Sequence, residues 1–514
     1  MKKLVIVTIF IAGLIVISTA QEITVSSFPM RNHFFPRNAS NQGVFTVSGN
    51  CAAGTSDSIK LRISKNNTLW KTLQVKPLEN GAFSLLATID AELSEYAFDL
   101  YFKNTLITSA NNIVCGDVFV FLGQSNMGKG GYISNKSIYM RSFGTWDVIA
   151  QDSTWKRNPI ETGGIALKMA ELIISTYNVP VCILNGAKGG TPIDSFLPLE
   201  SNHFDSGFLY GKLLSRIKKA GLQNSAKAFF WYQGEADGIS PNSDYYSEKF
   251  DKLYNALKQD LPSISKFYVF QINIGCTSVE GSIIREVQRQ FPKKYPDVFT
   301  MSTIGTVNHD GCHYDTNGYK QIGTNIFKLV ARDFYYSHDT IDINPPDIQC
   351  AYYKDETKKT IILKLNQLVK WPNDTFNTTM KDYFYLDNTF GLIDSGYIDD
   401  VNIILSLKQA SNATRISYLP PVQYYNTKRT YFGPFIRNSR QIGLFSFHNA
   451  ELSAPVSFVK QAAKQPSSCK TNNTVNNYYN LSGQKIPLSL VKIGLYVVEN
   501  GLQKIVIKFR GRPK

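Results

Sequence analysis

Two hydrophobic rhythms divide the chain. From residue 21 to about 114, short runs place an apolar side chain at every second position and break at Gly, Asn or Pro. GVFTVSGN (43–50), SIKLRIS (58–64), LWKTLQV (69–75), GAFSLLATI (81–89) and YAFDLYF (96–102) are the clearest. Period two with turn residues between the runs predicts a small antiparallel β-domain over 21–114. From Gly116 to about His338 the rhythm changes. Val118, Phe119, Val120, Phe121 and Leu122 are apolar without alternation, which suits a strand covered on both faces of a parallel sheet. Val181–Leu184, Ala228–Tyr232, Phe267–Ile272 and Val298–Ser302 are read as further strands. Helical stretches separate them. In Asp244–Leu261, Tyr246, Phe250, Leu253, Tyr254 and Leu257 fall on one face, and Gly163–Tyr177 and Gly318–Phe334 also read as helices. Strand and helix in alternation predict an α/β fold over 115–340, a parallel sheet with helices on both faces.

INPPDIQ (343–349) punctuates the chain. Beyond it KTIILKL, VNIILSL, ATRISYL and IGLFSFH predict a second β-domain over 341–463, so that β-sandwich-like domains flank the α/β core. Residues 464–477, KQPSSCKTNNTVNN, are a polar linker. The tail from 478 to 514 returns to the alternation of a β-hairpin.

The ends and the composition add an address. Lys2 and Lys3 precede an apolar stretch from Leu4 to Ile17, and Ser18-Thr19-Ala20 offers small residues before Gln21. This is the pattern of a secretory signal peptide over 1–20. The stretch is short for a membrane span, and no cysteine stands at the cut for a lipid. The expected location is secreted, periplasmic or at the cell surface. Lys and Arg exceed Asp and Glu by 55 to 40, but the basic residues are scattered and no helix carries a basic stripe, so nucleic acid is not an expected partner. An exported protein that meets acidic glycans is. Cys51, Cys115, Cys182, Cys276, Cys312, Cys350 and Cys469 lie far apart, without zinc spacing. Neither metal nor organic cofactor is expected, and the sequence does not pair the cysteines.

Candidate chemistry gathers where strands end. In open parallel sheets ligands sit past the carboxyl ends of strands, and four polar stretches fall there: GQSN (123–126), NGAKGGTPIDSF (185–196), QGEADG (233–238) and TIGTVNHDGCHYDTNGY (303–319). Ser125 is either the N-cap of the next helix or a nucleophile. A serine nucleophile needs a base. His313 is the candidate, with Asp310 three residues earlier able to orient its ring. His309 is a rival base and Cys312 a rival nucleophile. Oxyanion donors are expected from the Ser125 amide, a glycine at 189 or 190 with Gly189 favoured, and the Gln233 side chain. Gln124, Asn126, Gly190 and Glu235 are candidate substrate-binding residues.

FLGQSNM, GGTPIDSF, WYQGEAD and DGCHYDTNGYKQIG together resemble the SGNH hydrolase superfamily. They look most like its sialate O-acetylesterase and carbohydrate esterase family 6 branch, over roughly 116–336, and the resemblance implies that the α/β core is a flavodoxin-like, doubly wound parallel sheet. The resemblance implies that Ser125 is the nucleophile, that Asp310 and His313 are acid and base, and that Gly189 and Gln233 complete the oxyanion hole. Glutamine at 233 departs from the asparagine of many SGNH relatives. The implied activity is hydrolysis of acetyl esters on sugars through an acetyl-enzyme. An acetyl-xylan esterase, a lipase or thioesterase for longer acyl chains, and a non-catalytic glycan-binding module are the alternatives. GPFIRNSRQIGLFSFHNAEL resembles the closing segment of sialate O-acetylesterases. The tail resembles a Bacteroidetes type IX secretion sorting domain, which would make the secretion machinery a partner.

Overall fold

A computed structural model describes residues 23–130, 137–144, 153–157, 159, 162–276, 278–375, 378–420 and 431–455, and the backbone of strands 477–479, 485–486, 494–500 and 503–509. The leader and nearly all of the linker lie outside the described residues. Val118–Leu122 is the middle of one long strand, β1 (Thr105–Gly123). Its first half is two-faced and pairs antiparallel with Tyr96–Phe102. Its second half is buried at every position and pairs parallel with Val181–Asn185 and Ala226–Tyr232 of the α/β core. The expected boundary at 114/115 therefore falls inside a continuous strand, because the N-terminal β-region and the α/β core share one backbone ladder.

The central sheet adds β2 (Met140–Phe143), β3 (Trp155–Arg157), β4 (Val181–Asn185), β5 (Ala226–Tyr232), β6 (Lys266–Gln271) and β7 (Val298–Ser302), in the order β3-β2-β4-β1-β5-β6-β7. All pairs are parallel except β3 with β2. The order β4-β1-β5-β6-β7 is flavodoxin-like, and the chain reverses direction across the sheet at β1, where a crevice opens beyond the strand ends. The helices are α1 (Ser125–Gly128), α2 (Gly164–Tyr177), α3 (Leu209–Lys219), α4 (Tyr246–Asp260), α5 (Gly281–Lys294) and α6 (Thr316–Tyr335). α2 packs on α6, and α4 on α5. No helix among the described residues is long and apolar enough to cross a membrane.

Helix α5 escaped the hydrophobic pattern for a physical reason. Its buried face includes Arg285, Gln288 and Arg289, and Pro292 lies inside it. Arg285 donates to Ser446 Oγ and to the Pro420 carbonyl, and Arg289 pairs with Asp347 at 2.8 Å. A polar face that is satisfied by the C-terminal β-region looks exposed in sequence.

Residues 23–102 form two sheets around one core that includes Val47, Ile59, Leu61, Ile89 and Phe98, a sandwich. Asp117 anchors it to the α/β unit: the buried carboxylate takes both Arg37 contacts at 2.7 Å, Lys227 at 2.9 Å and the Tyr335 hydroxyl at 2.6 Å. Burial alone would raise this carboxyl, but Arg37 and Lys227 hold it below the usual range. Beyond residue 347, seven strands form one sheet. IGLFSFH is mostly not strand: the strand there is Phe447–Ser453. Ile442 packs in the α/β core and Leu444 in the C-terminal core, so this apolar run is a junction between two cores. In the tail, Gly494–Asn500 and Gln503–Phe509 pair as an antiparallel hairpin.

Candidate active site

Strand β1 delivers Ser125 to the crevice. Gly123 takes φ +143°, and a Cβ there would fall on the Tyr232 carbonyl oxygen. Only glycine lets β1 turn this close to β5. Gln124 is the N-cap of α1 but makes no side-chain cap bond, so Ser125 is the first helical residue and its hydroxyl is not spent on capping. Its Oγ lies 2.8 Å from His313 Nε2. The two are 188 positions apart in the chain and meet because β1 and β7 end on the same edge of the sheet.

Gln124 and Asn126 brace this junction from either side. Gln124 Oε1 accepts from the Gly234 and Ala236 amides at 3.3 and 3.2 Å. Asn126 Nδ2 donates to Glu235 Oε1 at 2.7 Å and to the Cys312 carbonyl at 3.0 Å, while its Oδ1 accepts from the Tyr319 hydroxyl at 2.9 Å. Asn126 is buried and ties the serine turn to the histidine turn; Gln124 is also nearly buried yet touches the cleft. Glu235 is buried, with Oε2 unbonded, and burial pushes its carboxyl up to about 7 against the Asn126 hydrogen bond.

Two expected roles do not match the geometry. Gln233 is fully buried, and its Nε2 donates to Gln124 Oε1 at 3.3 Å, to the Thr191 carbonyl at 3.2 Å and to Asp237. Its two N–H groups are committed inside the protein, and it does not line the cleft. Asp310 does not reach the imidazole. Its Oδ1 accepts from the Cys312 amide at 2.8 Å and the His313 amide at 2.7 Å, so the carboxylate closes the turn it begins. Burial would raise it, but those amides hold it below the usual range. Three residues of separation favour the turn amides, which lie nearer than the ring.

The ring's other nitrogen faces a cation that the sequence reading missed. Lys129 Nζ lies 3.2 Å from His313 Nδ1. It stands just past the end of α1, in extended backbone four positions after Ser125. Burial and then the Lys129 charge lower the His313 pKa, against Asp310, which raises it. His309 is elsewhere: its Nδ1 accepts the Gly311 amide at 3.1 Å and burial lowers it to about 4. Cys312 is bonded to Cys276 as a disulfide, Cα to Cα 4.3 Å, so it carries no free thiol. The loops after the neighbouring strands β6 and β7 bring the pair together.

A cleft of about 550 Å³ opens over Ser125 and His313, lined also by Gln124, Lys129, Gly189 and Glu235. A Cβ on Gly189 would stand 3.6 Å from the Ser125 Cβ, so the two backbones flank the same space. Gly190, with φ +65°, lines the cleft next to it.

Residues 115–332 match the family model described as carbohydrate esterase, sialic acid-specific acetylesterase. Comparison with curated proteins gives no match. Among solved structures, the chain is similar to XAC1771, a carbohydrate acetylesterase from Xanthomonas citri, with 16% identity over 83% of this chain and 99% of that one, and a TM-score of 0.59. A protein from Arabidopsis thaliana shares 20% identity over 43% of this chain and 99% of its own, TM-score 0.36. NanS shares 13% identity over 43% and 99%, TM-score 0.34. The fold is that of the SGNH hydrolases and carbohydrate esterases.

Proposed function

We propose that this carboxylic ester hydrolase, whose residues 115–332 fall in the sialic acid-specific acetylesterase family, removes O-acetyl groups from sugars by a serine mechanism. The observation that carries the reading is the 2.8 Å contact of Ser125 Oγ with His313 Nε2 at the mouth of the cleft. Ser125 attacks the acetyl carbonyl while Nε2 takes its proton. The amides of Ser125 and Gly189 hold the oxyanion. His313 then gives the proton to the departing sugar oxygen, and a water activated by the same nitrogen releases acetate. Asp310 serves by holding the turn that presents His313 and by its negative charge, which favours the imidazolium.

Lys129 narrows the substrate. A neutral imidazole has one donor and one acceptor nitrogen. An ammonium donating to Nδ1 places the ring proton on Nε2, where it cannot accept from serine. Lys129 therefore leaves Nδ1 before attack, and a carboxylate on the sugar gives it a destination. Lys129 has no acidic partner among the described residues. This supports an acetylated acidic sugar, such as a sialoside, over neutral acetyl-xylan. Export by the residue 1–20 leader, with the tail as a sorting signal, belongs to the same reading and is checked by the mass of the mature protein.

The test is acetate release from O-acetylated sialosides, acetyl-xylan and p-nitrophenyl acetate by the wild type and Ser125→Ala. The variant is expected to lose all but a small residue of activity on every ester, with sialosides the preferred substrate of the wild type. Equal rates for the two proteins eliminate the serine mechanism, and a preference for xylan removes the role of Lys129.

A further inference from the structure

The turn that carries His313 is exposed or half-buried from Asn308 to His313, and few contacts hold it. Asp310 accepts the turn's own amides, and the His309–Tyr314 bridge is also local. The described ties to the rest of the protein around His313 include the Asn126 amide on the Cys312 carbonyl, the Cys276 N–H on the Gly311 carbonyl at 2.7 Å, and the Cys276–Cys312 disulfide. The last two join the turn to the loop after β6. That loop is built for the approach: Gly275 takes φ +132°, and a Cβ there would fall on the Gly311 carbonyl oxygen. Both half-cystines line the cleft, within reach of a small reductant. Cys312 Sγ lies 3.8 Å from His313 Nε2, the nitrogen that faces Ser125.

We propose that the Cys276–Cys312 disulfide is a positioning clamp for His313, and that a thiol reductant turns the site off by freeing a Cys312 thiol that competes with Ser125 for Nε2. The inference rests on His313 acting as the base. A dithiol reductant transfers two electrons: the Cys276–Cys312 S–S bond breaks, the reductant's own S–S bond forms, and its two protons go to the two cysteines. The Cys312 proton then passes to Nε2. A thiolate beside an imidazolium is a stable pair, and a base that already holds a proton cannot take one from serine. The clamp loosens and the base is occupied in the same event.

The experiment uses the full chain, oxidised and then treated with dithiothreitol. Hydrolysis of p-nitrophenyl acetate is followed together with alkylation of the released thiols by iodoacetamide. Reduction is expected to lower kcat about 10²-fold, the range a positioned base supplies, with KM changed far less and with recovery on reoxidation. Cys276→Ser keeps the Cys312 thiol and is expected to lose more activity than Cys312→Ser, which removes it. Cys276→Ser should also alkylate at Cys312 faster than a free thiol at neutral pH. The Cys276→Ser/Cys312→Ser protein should no longer respond to dithiothreitol. Full kcat in a reduced protein whose alkylated peptides include 276 and 312 overturns the clamp, as does equal loss in the two single variants together with ordinary alkylation. An oxidised wild type that hydrolyses no acetyl ester overturns the esterase reading instead; the alkylation rate at Cys312 still tests its pairing with His313.

Discussion

Replacing Gln233 with alanine separates a donor to the oxyanion from an internal strut. The side chain is fully buried, and the Thr191 carbonyl loses its described partner when the amide is removed. Gln124 Oε1 keeps the Gly234 and Ala236 amides, and Asp237 keeps the Ile193 amide at 2.9 Å. One orphaned, partly buried acceptor costs about 1 kcal/mol, the low end of the range for a buried group, and the cavity left by the missing side chain adds about 2 kcal/mol more. The sum is about 3 kcal/mol, which lowers the melting temperature of a domain of this size by about 6–12 °C. Thermal unfolding followed by circular dichroism reads this loss. Steady-state hydrolysis of p-nitrophenyl acetate at 25 °C, below the transition, reads the catalytic effect, expected to be under about tenfold because the amide does not point at the reacting carbon. An unchanged melting temperature with kcat reduced about 10²–10³-fold, the signature of a lost oxyanion donor, refutes this argument and returns Gln233 to the hole.

Three further outcomes are expected. Lys129→Met removes a cation that holds the His313 pKa down; because attack needs the unprotonated ring, the acid limb of kcat/KM against pH moves to higher pH, and an unmoved or lower limb denies the Lys129 contact. Burial pushes the Glu235 carboxyl up to about 7 from 4.5, so the folded protein keeps a proton that the unfolded chain releases, and stability falls as pH rises through that window. Glu235→Gln should therefore be more stable than the wild type at about pH 8, by about 3 kcal/mol, with the melting curves converging towards about pH 4; parallel curves across the range refute the shift. Gly123→Ala drives a Cβ onto the Tyr232 carbonyl oxygen in a backbone conformation that disfavours side chains, so the urea midpoint should fall by the equivalent of about 4 kcal/mol or more, and a midpoint equal to that of the wild type shows that the β1 turn relaxes freely.

What the chain reveals before folding divides along a physical line. The parallel sheet was legible because Val118–Leu122 and the runs like it report burial on both faces, and burial is a property of each residue in its own segment. The edge where chemistry gathers followed from that, since strands running parallel must end together, and Ser125 and His313 do meet there. The choice among competing partners was not legible. Asp310 has the right charge and spacing for the imidazole, yet two amides of its own turn lie nearer. Gln233 has a suitable amide, yet Asp237, four residues on and missed by the sequence reading, binds it. Helix α5 hid for the same reason, because Arg285 and Arg289 are buried only by virtue of acceptors supplied from residues 347, 420 and 446.

The Cys276–Cys312 pair shows where that line could have been crossed. Cysteine spacing along the chain says nothing of pairing, but the parallel order does: β6 and β7 are adjacent, so the loops that leave their carboxyl ends run side by side. The sequence reading left the cysteines unpaired; with β6 and β7 adjacent, Cys276 and Cys312 stand in neighbouring loops, where the disulfide joins them. Lys129 belongs with it, because the chain leaves α1 in extended backbone at Lys129 and its side chain returns to His313. The unread part of this site was therefore a set of consequences of the topology rather than a set of missing motifs. That explains why the serine–histidine contact could be expected from sequence while the groups that tune it, a cation on Nδ1 and a sulfur beside Nε2, emerge only when the loops are placed next to one another.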